Sequence, residues 1–172
     1  GKKLLALGGN SGNPIFDWFI GRELNPRIGE FDIKTFNELR PGLILWALLD
    51  ISCVCHQYTK FGWVSDSIVL VTLFHVWYIV DSLINESTIL TQMDITTDGF
   101  GFMLSVGDLA WLPFTYCLQA RFLAFHPIHL GWLGVLAILA VQFTGYYIFR
   151  VANLEKNEFR HGRNPKGTYA MR

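Results

Sequence analysis

WYIVDSLINESTILTQMDITTDGFGFMLSVGD, residues 77–108, is the stretch whose reading decides the fold. It begins in an apolar run that carries Tyr78 and Asp81. It then crosses a loop holding Glu86, Asp94 and Asp98, and returns through a glycine-rich re-entry to a second apolar run. Carboxylates this close to hydrophobic runs of membrane length are expensive, so each needs a partner or a task.

Working outward, four apolar runs cover residues 41–55, 62–84, 100–125 and 130–149, the third interrupted by Pro113. The last three meet the roughly 20 residues needed to cross hydrocarbon. The first is short, but Pro41 favours a helix start there and a few further residues would complete a span. Asp50, Asp66, His75, Asp81, Asp108 and Gln119 sit within these runs or at their edges. In lipid such groups are expected to face the bundle interior or a polar cavity. A soluble helical core is the competing reading. Four long runs in close succession, bounded by Trp and Tyr, fit a membrane bundle better. The expected architecture is all-α: a polytopic bundle over residues 40–150, preceded by a turn-rich, interfacial region over residues 1–39 and followed by a basic tail over residues 151–172.

Composition agrees. Of 172 residues, 51% are hydrophobic, 15% aromatic and only 16% charged, against about 25% charged in soluble proteins. Mean hydropathy is +0.31. The formal net charge is zero, which excludes the basic footprint of a nucleic-acid-binding domain. The three cysteines, Cys53, Cys55 and Cys117, lie inside apolar runs and are expected to be buried, reduced thiols.

Charge sets the expected orientation. Lys2, Lys3, Arg22, Arg27, Lys34 and Arg40 precede the first run, and Arg150, Lys156, Arg160, Arg163, Lys166 and Arg172 follow the last. With four spans both groups fall on one face, which the positive-inside rule makes cytoplasmic. The acidic loop lies on that same face without a basic residue, so it is expected to fold into the protein rather than meet anionic lipid.

Two constellations carry chemistry. Tyr78 stands three residues before Asp81, so one helical face can hold both. A buried tyrosine can be a proton donor or simply a hydrogen-bonded core residue, and the residues alone leave both open. Lys156 and Arg160 in KNEFRHGRNP (residues 156–165) are four apart on one helical face. Such a pair suits a phosphate, or forms a juxtamembrane patch against lipid headgroups. His126 and His129 in HPIH lack the ligand number of a metal site. GGNSGN lacks the Lys-Ser/Thr ending of a phosphate loop, and there is no Rossmann fingerprint.

LTQMDITTDGFGFML (residues 90–104), YIVD (78–81), KNEFR (156–160), ELNPRIG (23–29) and ELRPG (38–42) together make the chain resemble the sterol reductase family of the endoplasmic reticulum and inner nuclear membrane. That family includes delta-14 and delta-7 sterol reductases and the lamin B receptor, and the first segment is most similar to the delta-14 branch. The resemblance covers about residues 7–165. It implies a bundle of about ten helices in all, each span satisfying its own backbone, of which this chain would supply about four. It further implies that Tyr78 is the catalytic acid, that Asp81, Glu86, Asp94 and Asp98 are candidates for the sterol pocket, and that Lys156 and Arg160 contact the phosphates of NADPH. The implied reaction is reduction of an isolated double bond: protonation of one carbon, then hydride delivery to the cationic carbon beside it. The implied partners are a sterol and membrane lipid, with a lamin or chromatin link only if an amino-terminal domain lies outside this chain. The family's downstream cofactor segments, including G-W-W-G-like and R-H-P-N-Y-like stretches, are not found here. The chain is accordingly expected to be a fragment that does not turn over by itself.

Overall fold

Asn13 ends the glycine-rich loop and begins the first helix. In the computed structural model of the chain, which describes residues 4–163, its side-chain oxygen accepts from the N–H groups of Ile15 and Phe16. Pro14 takes the first helical position, where its missing N–H costs nothing. This helix, α1 (Pro14–Ile20), also anchors the loop before it, because the Ser11 hydroxyl and N–H both donate to Asp17. Those two bonds hold the Asp17 carboxyl below the usual carboxylate range. A two-residue hairpin follows, β1 (Arg27–Ile28) against β2 (Phe31–Asp32), in antiparallel register Arg27↔Asp32. Asp32 then caps the N–H of Thr35 and opens α2 (Ile33–Leu39). The expected charges Lys2, Lys3, Lys166 and Arg172, and the tail after Arg163, lie outside the described residues.

Helix α3 (Pro41–Phe61) starts at the predicted proline and runs past the short apolar stretch that suggested it. The Thr59 hydroxyl returns to the Cys55 carbonyl, and Gly62, at φ +78°, closes the helix by donating to Tyr58. Helix α4 (Asp66–Ile84) follows, and the last helix, α9, runs from Gly131 to Arg160. Among the described residues, three helices are long and apolar enough to cross a membrane: α2 and α3 taken together as Ile33–Phe61, Asp66–Ile84, and Gly131–Arg160.

The remaining run, residues 100–125, is helical in pieces. Between α4 and it lie a 3-10 turn, Glu86–Thr91, and the single turn α5 (Met93–Thr96). Then come α6 (Phe102–Val106), a π-turn at Gly107–Trp111, α7 (Leu112–Tyr116) and α8 (Leu118–Phe125). The interruption falls just before Pro113, whose ring would collide with the carbonyl four residues back in a regular helix. There the helix takes a π-turn, in which the Leu112 N–H reaches the Gly107 carbonyl. The displaced backbone then packs on α3. A Cβ on Gly42 would lie 1.9 Å from the Asp108 carbonyl oxygen, so only glycine permits this approach.

The core forms where α3, α4, α7 and α8 meet. Leu39, Leu43, Trp46, Ile79 and Cys117 make one buried cluster, and Ile68, Leu123 and Ala124 a second. Gln57 ties the far end together, donating to the Leu123 carbonyl at 2.7 Å and accepting from the Ser65 N–H at 2.6 Å. Asp66 accepts from the N–H groups of Leu130 and Gly131 at 3.0 Å, which fixes the start of α9 beside the start of α4. Most polar groups of the apolar runs face inward as expected. Gln119, by contrast, lies on the outer surface of α8, and Cys55 on the outer surface of α3. Both stand at helical positions that the core-facing stripe, marked by Ala120, Cys117 and Gln57, leaves outside.

Candidate active site

The C-terminal half of α4 and the middle of α9 enclose a cleft of about 190 Å³. Tyr78 and Asp81 line it from α4, one turn apart, with Gln142 and Tyr146 facing them from α9. Phe74, Trp77 and Phe149 supply aromatic walls. Asp81 is heavily engaged. Its Oδ1 accepts from the Tyr146 hydroxyl at 2.9 Å and from Asn85 Nδ2 at 3.2 Å, while its Oδ2 faces Arg150 Nη1 at 3.4 Å. The Tyr78 hydroxyl is not: it makes no hydrogen bond among the described residues, and the side chain is 47% exposed. The cleft therefore pairs a committed carboxylate with an uncommitted phenol.

Behind Tyr78 stands a buried polar pair. Asp50 of α3, 0% exposed, holds His75 of α4 through an Oδ2···Nδ1 contact of 2.6 Å. The indole of Trp46 packs on the His75 ring at 4.6 Å, on Tyr78 at 5.9 Å and on Tyr116 at 5.1 Å.

The other acidic candidates fall outside the cleft. Glu86 is bound by Arg40 through two hydrogen bonds, at 3.0 and 2.7 Å, which fasten the 3-10 turn to the corner between α2 and α3. Asp94 is exposed on α5. Asp98 contributes its backbone carbonyl to Lys34, a fully buried lysine whose amine also donates to the carbonyls of Leu24 and Ile95 at 3.3 Å. The acidic loop thus does fold into the protein, with a lysine and an arginine from α2 and its end drawing it in.

The glycines of DGFG serve the same docking. A Cβ on Gly99 would lie 1.8 Å from the Gly21 carbonyl oxygen, and one on Gly101 would lie 2.3 Å from the Gly21 nitrogen. Gly9 approaches the Gly21 carbonyl from the other side. Backbone meets backbone here, and the Phe100 N–H donates to the Glu23 carbonyl at 3.0 Å. Trp18 of α1 stacks on Phe102 at 4.6 Å to complete the contact.

Lys156 and Arg160 lie on the last turns of α9, both exposed. Arg160 donates to the Thr91 hydroxyl at 3.1 Å, beside the 3-10 turn, and Lys156 makes no ion pair among the described residues. They stand six and ten residues beyond Arg150, about 9 and 15 Å along the helix axis. Sequence reasoning did not single out Tyr146 or Arg150, although both were legible: four residues apart on an apolar helix, they share a face, and a cation there needs a partner. No group of three or more His, Cys, Asp or Glu among the described residues is arranged to hold a metal ion.

Residues 1–171 match the model of the ergosterol biosynthesis ERG4/ERG24 family. The chain belongs to that family. Among curated members, it is 67% identical over 165 residues to a Delta(14)-sterol reductase of Schizosaccharomyces pombe, covering 95% of this chain and 39% of the relative. It is 59% identical over 162 residues to a Delta(14)-sterol reductase of Saccharomyces cerevisiae, covering 94% and 37%. A Delta(14)-sterol reductase of Candida albicans is 55% identical over 166 residues, covering 95% and 37%. The chain thus spans less than two fifths of the length of these ERG4/ERG24 relatives.

Proposed function

We propose that this chain carries the proton-donating part of an NADPH-dependent delta-14 sterol reductase, a multi-pass protein of the endoplasmic reticulum membrane. Relatives of this name at 55–67% identity support the reaction class. The observation that carries the residue assignment is the contrast within the cleft. Asp81 already accepts two hydrogen bonds and faces a guanidinium, whereas the Tyr78 hydroxyl has no hydrogen bond among the described residues and Tyr78 lines the cleft.

Tyr78 gives its hydroxyl proton to one carbon of the C14–C15 double bond, leaving the positive charge on the other. Aromatic walls flank the cation. NADPH, when bound, supplies the hydride. Asp81 fixes Tyr146 and Arg150 on the opposite wall and so sets the width of the cleft. Glu86, Asp94 and Asp98 take no direct part, because an ion pair, outward placement and loop docking account for them. Lys156 and Arg160 fit the cofactor's phosphates: both are exposed cations on one helix end, and Arg can hold phosphate bidentately. The axial distance of about 15 Å back toward the cleft is one that an extended dinucleotide can span.

The test is a product analysis. The full-length protein is supplied with NADPH and, separately, with a sterol unsaturated at C14–C15 and one unsaturated at C7–C8. Saturation of the first alone is expected, and saturation of the second alone would overturn the assignment.

A further inference from the structure

We infer that Asp50, His75 and Trp46 form a positioning set that holds the Tyr78 ring for proton transfer. The inference rests on the reading of Tyr78 as the proton donor.

The argument begins with cost. Asp50 is fully buried inside a membrane-length helix, and among the described residues its Oδ1 has no hydrogen-bond partner, nor does the buried Trp46 Nε1 one turn away. Apolar residues of similar volume would fill the same space at least as stably. Intramembrane ionisable groups retained at such cost are functional candidates by default. The geometry names the beneficiary. Asp50 grips only one ring nitrogen of His75, which fixes the orientation of the imidazole as a carboxylate does in a catalytic triad. The oriented ring is one face of the slot that holds Trp46, with Tyr116 of α7 on another. Trp46 is 4% exposed and leans on Tyr78. Among the described residues the Tyr78 hydroxyl has no hydrogen bond to fix it, so ring contacts with Trp46 and with Phe149, at 6.5 Å, determine where it points. Neither His75 nor Asp50 lines the cleft; they act through the indole.

Misplacing a reacting group by about 1 Å costs as much as about 100-fold in rate. In the full-length reductase, His75→Leu and Asp50→Leu are therefore expected to lower kcat about 10- to 100-fold. KM for sterol and for NADPH should stay within about twofold, because the ground-state contacts remain. The thermal midpoint in detergent should fall in each single variant, which strands the other partner, and hold or rise in the double variant Asp50→Leu/His75→Leu. Asp50→Asn, which keeps an acceptor for His75, should recover part of the loss, and Trp46→Phe should retain more activity than Trp46→Leu. Undiminished kcat in His75→Leu would overturn the inference, as would undiminished kcat in the double variant. If the leucine variants do not fold, the ranking of Trp46→Phe above Trp46→Leu decides, and equal activities overturn it. Tyr78→Phe is measured in parallel. Activity retained there defeats the donor assignment itself. An inactive Tyr78→Phe beside a fully active His75→Leu defeats only the positioning set.

Discussion

The Tyr146 hydroxyl donates to Asp81 Oδ1 at 2.9 Å, joining α9 to α4 at residues 65 apart in sequence. Arg150, one turn further along α9, pairs with the other oxygen of the same carboxylate at 3.4 Å. The last helix is held at its start by Asp66 and at its end by Thr91, and its long apolar face is turned outward. This bond pattern therefore decides where α9 sits against the cleft.

Removing one donor should cost little and removing the acceptor much more. Tyr146→Phe is expected to lose about 0.6 kcal/mol, the average for interhelical hydrogen bonds in a membrane bundle. Asp81→Ala strands the Arg150 guanidinium, whose Nε and Nη2 already lack partners, and should cost about 3 kcal/mol. Thermal unfolding in detergent measures both. Equal losses would show that Arg150 finds another partner.

Tyr78→Phe removes only the free hydroxyl and leaves every ring contact in place. Turnover should vanish while expression, thermal midpoint and sterol binding match the parent. Near-normal turnover would assign the proton to another group.

Lys156→Ala is expected to weaken NADPH binding by roughly tenfold, the equivalent of about 1.4 kcal/mol, and to leave sterol binding unchanged. Arg160→Ala should do the same and also release the Thr91 hydroxyl. Binding titrations with each ligand separate the effects, and parallel loss for both ligands would indicate a general disturbance of the fold.

Gly99→Ala and Gly101→Ala should prevent assembly rather than catalysis, since the added methyl would overlap the Gly21 backbone. Gly107→Ala is the control: nothing lies within 4 Å of its Cβ position. Monodisperse yield on size exclusion should fall sharply for the first two and not for the third.

Much of this was legible in the chain. Pro41 announced α3, three of the four apolar runs announced the membrane-length helices, and the absence of basic residues in the acidic loop announced that it would fold inward. What stayed hidden depends on partners distant in sequence. Lys34 entered the sequence reading only as a positive charge, because its three carbonyl acceptors come from residues 24, 95 and 98. The DGFG glycines read as a family signature, yet their physical reason is Gly21, on another segment. Asp50 and His75 were recognised as polar intruders in apolar runs, but periodicity along one helix does not say that they meet.

The π-turn at Gly107–Trp111 has a practical consequence. One extra residue in a turn rotates everything after it by about 100° relative to a regular helix. A helical wheel drawn straight through residues 102–125 would therefore assign α7 and α8 to the wrong faces. Cysteine-labelling or crosslinking surveys of this segment need two separate phases, one for each side of the turn. Cys117, beyond the turn, is in the core.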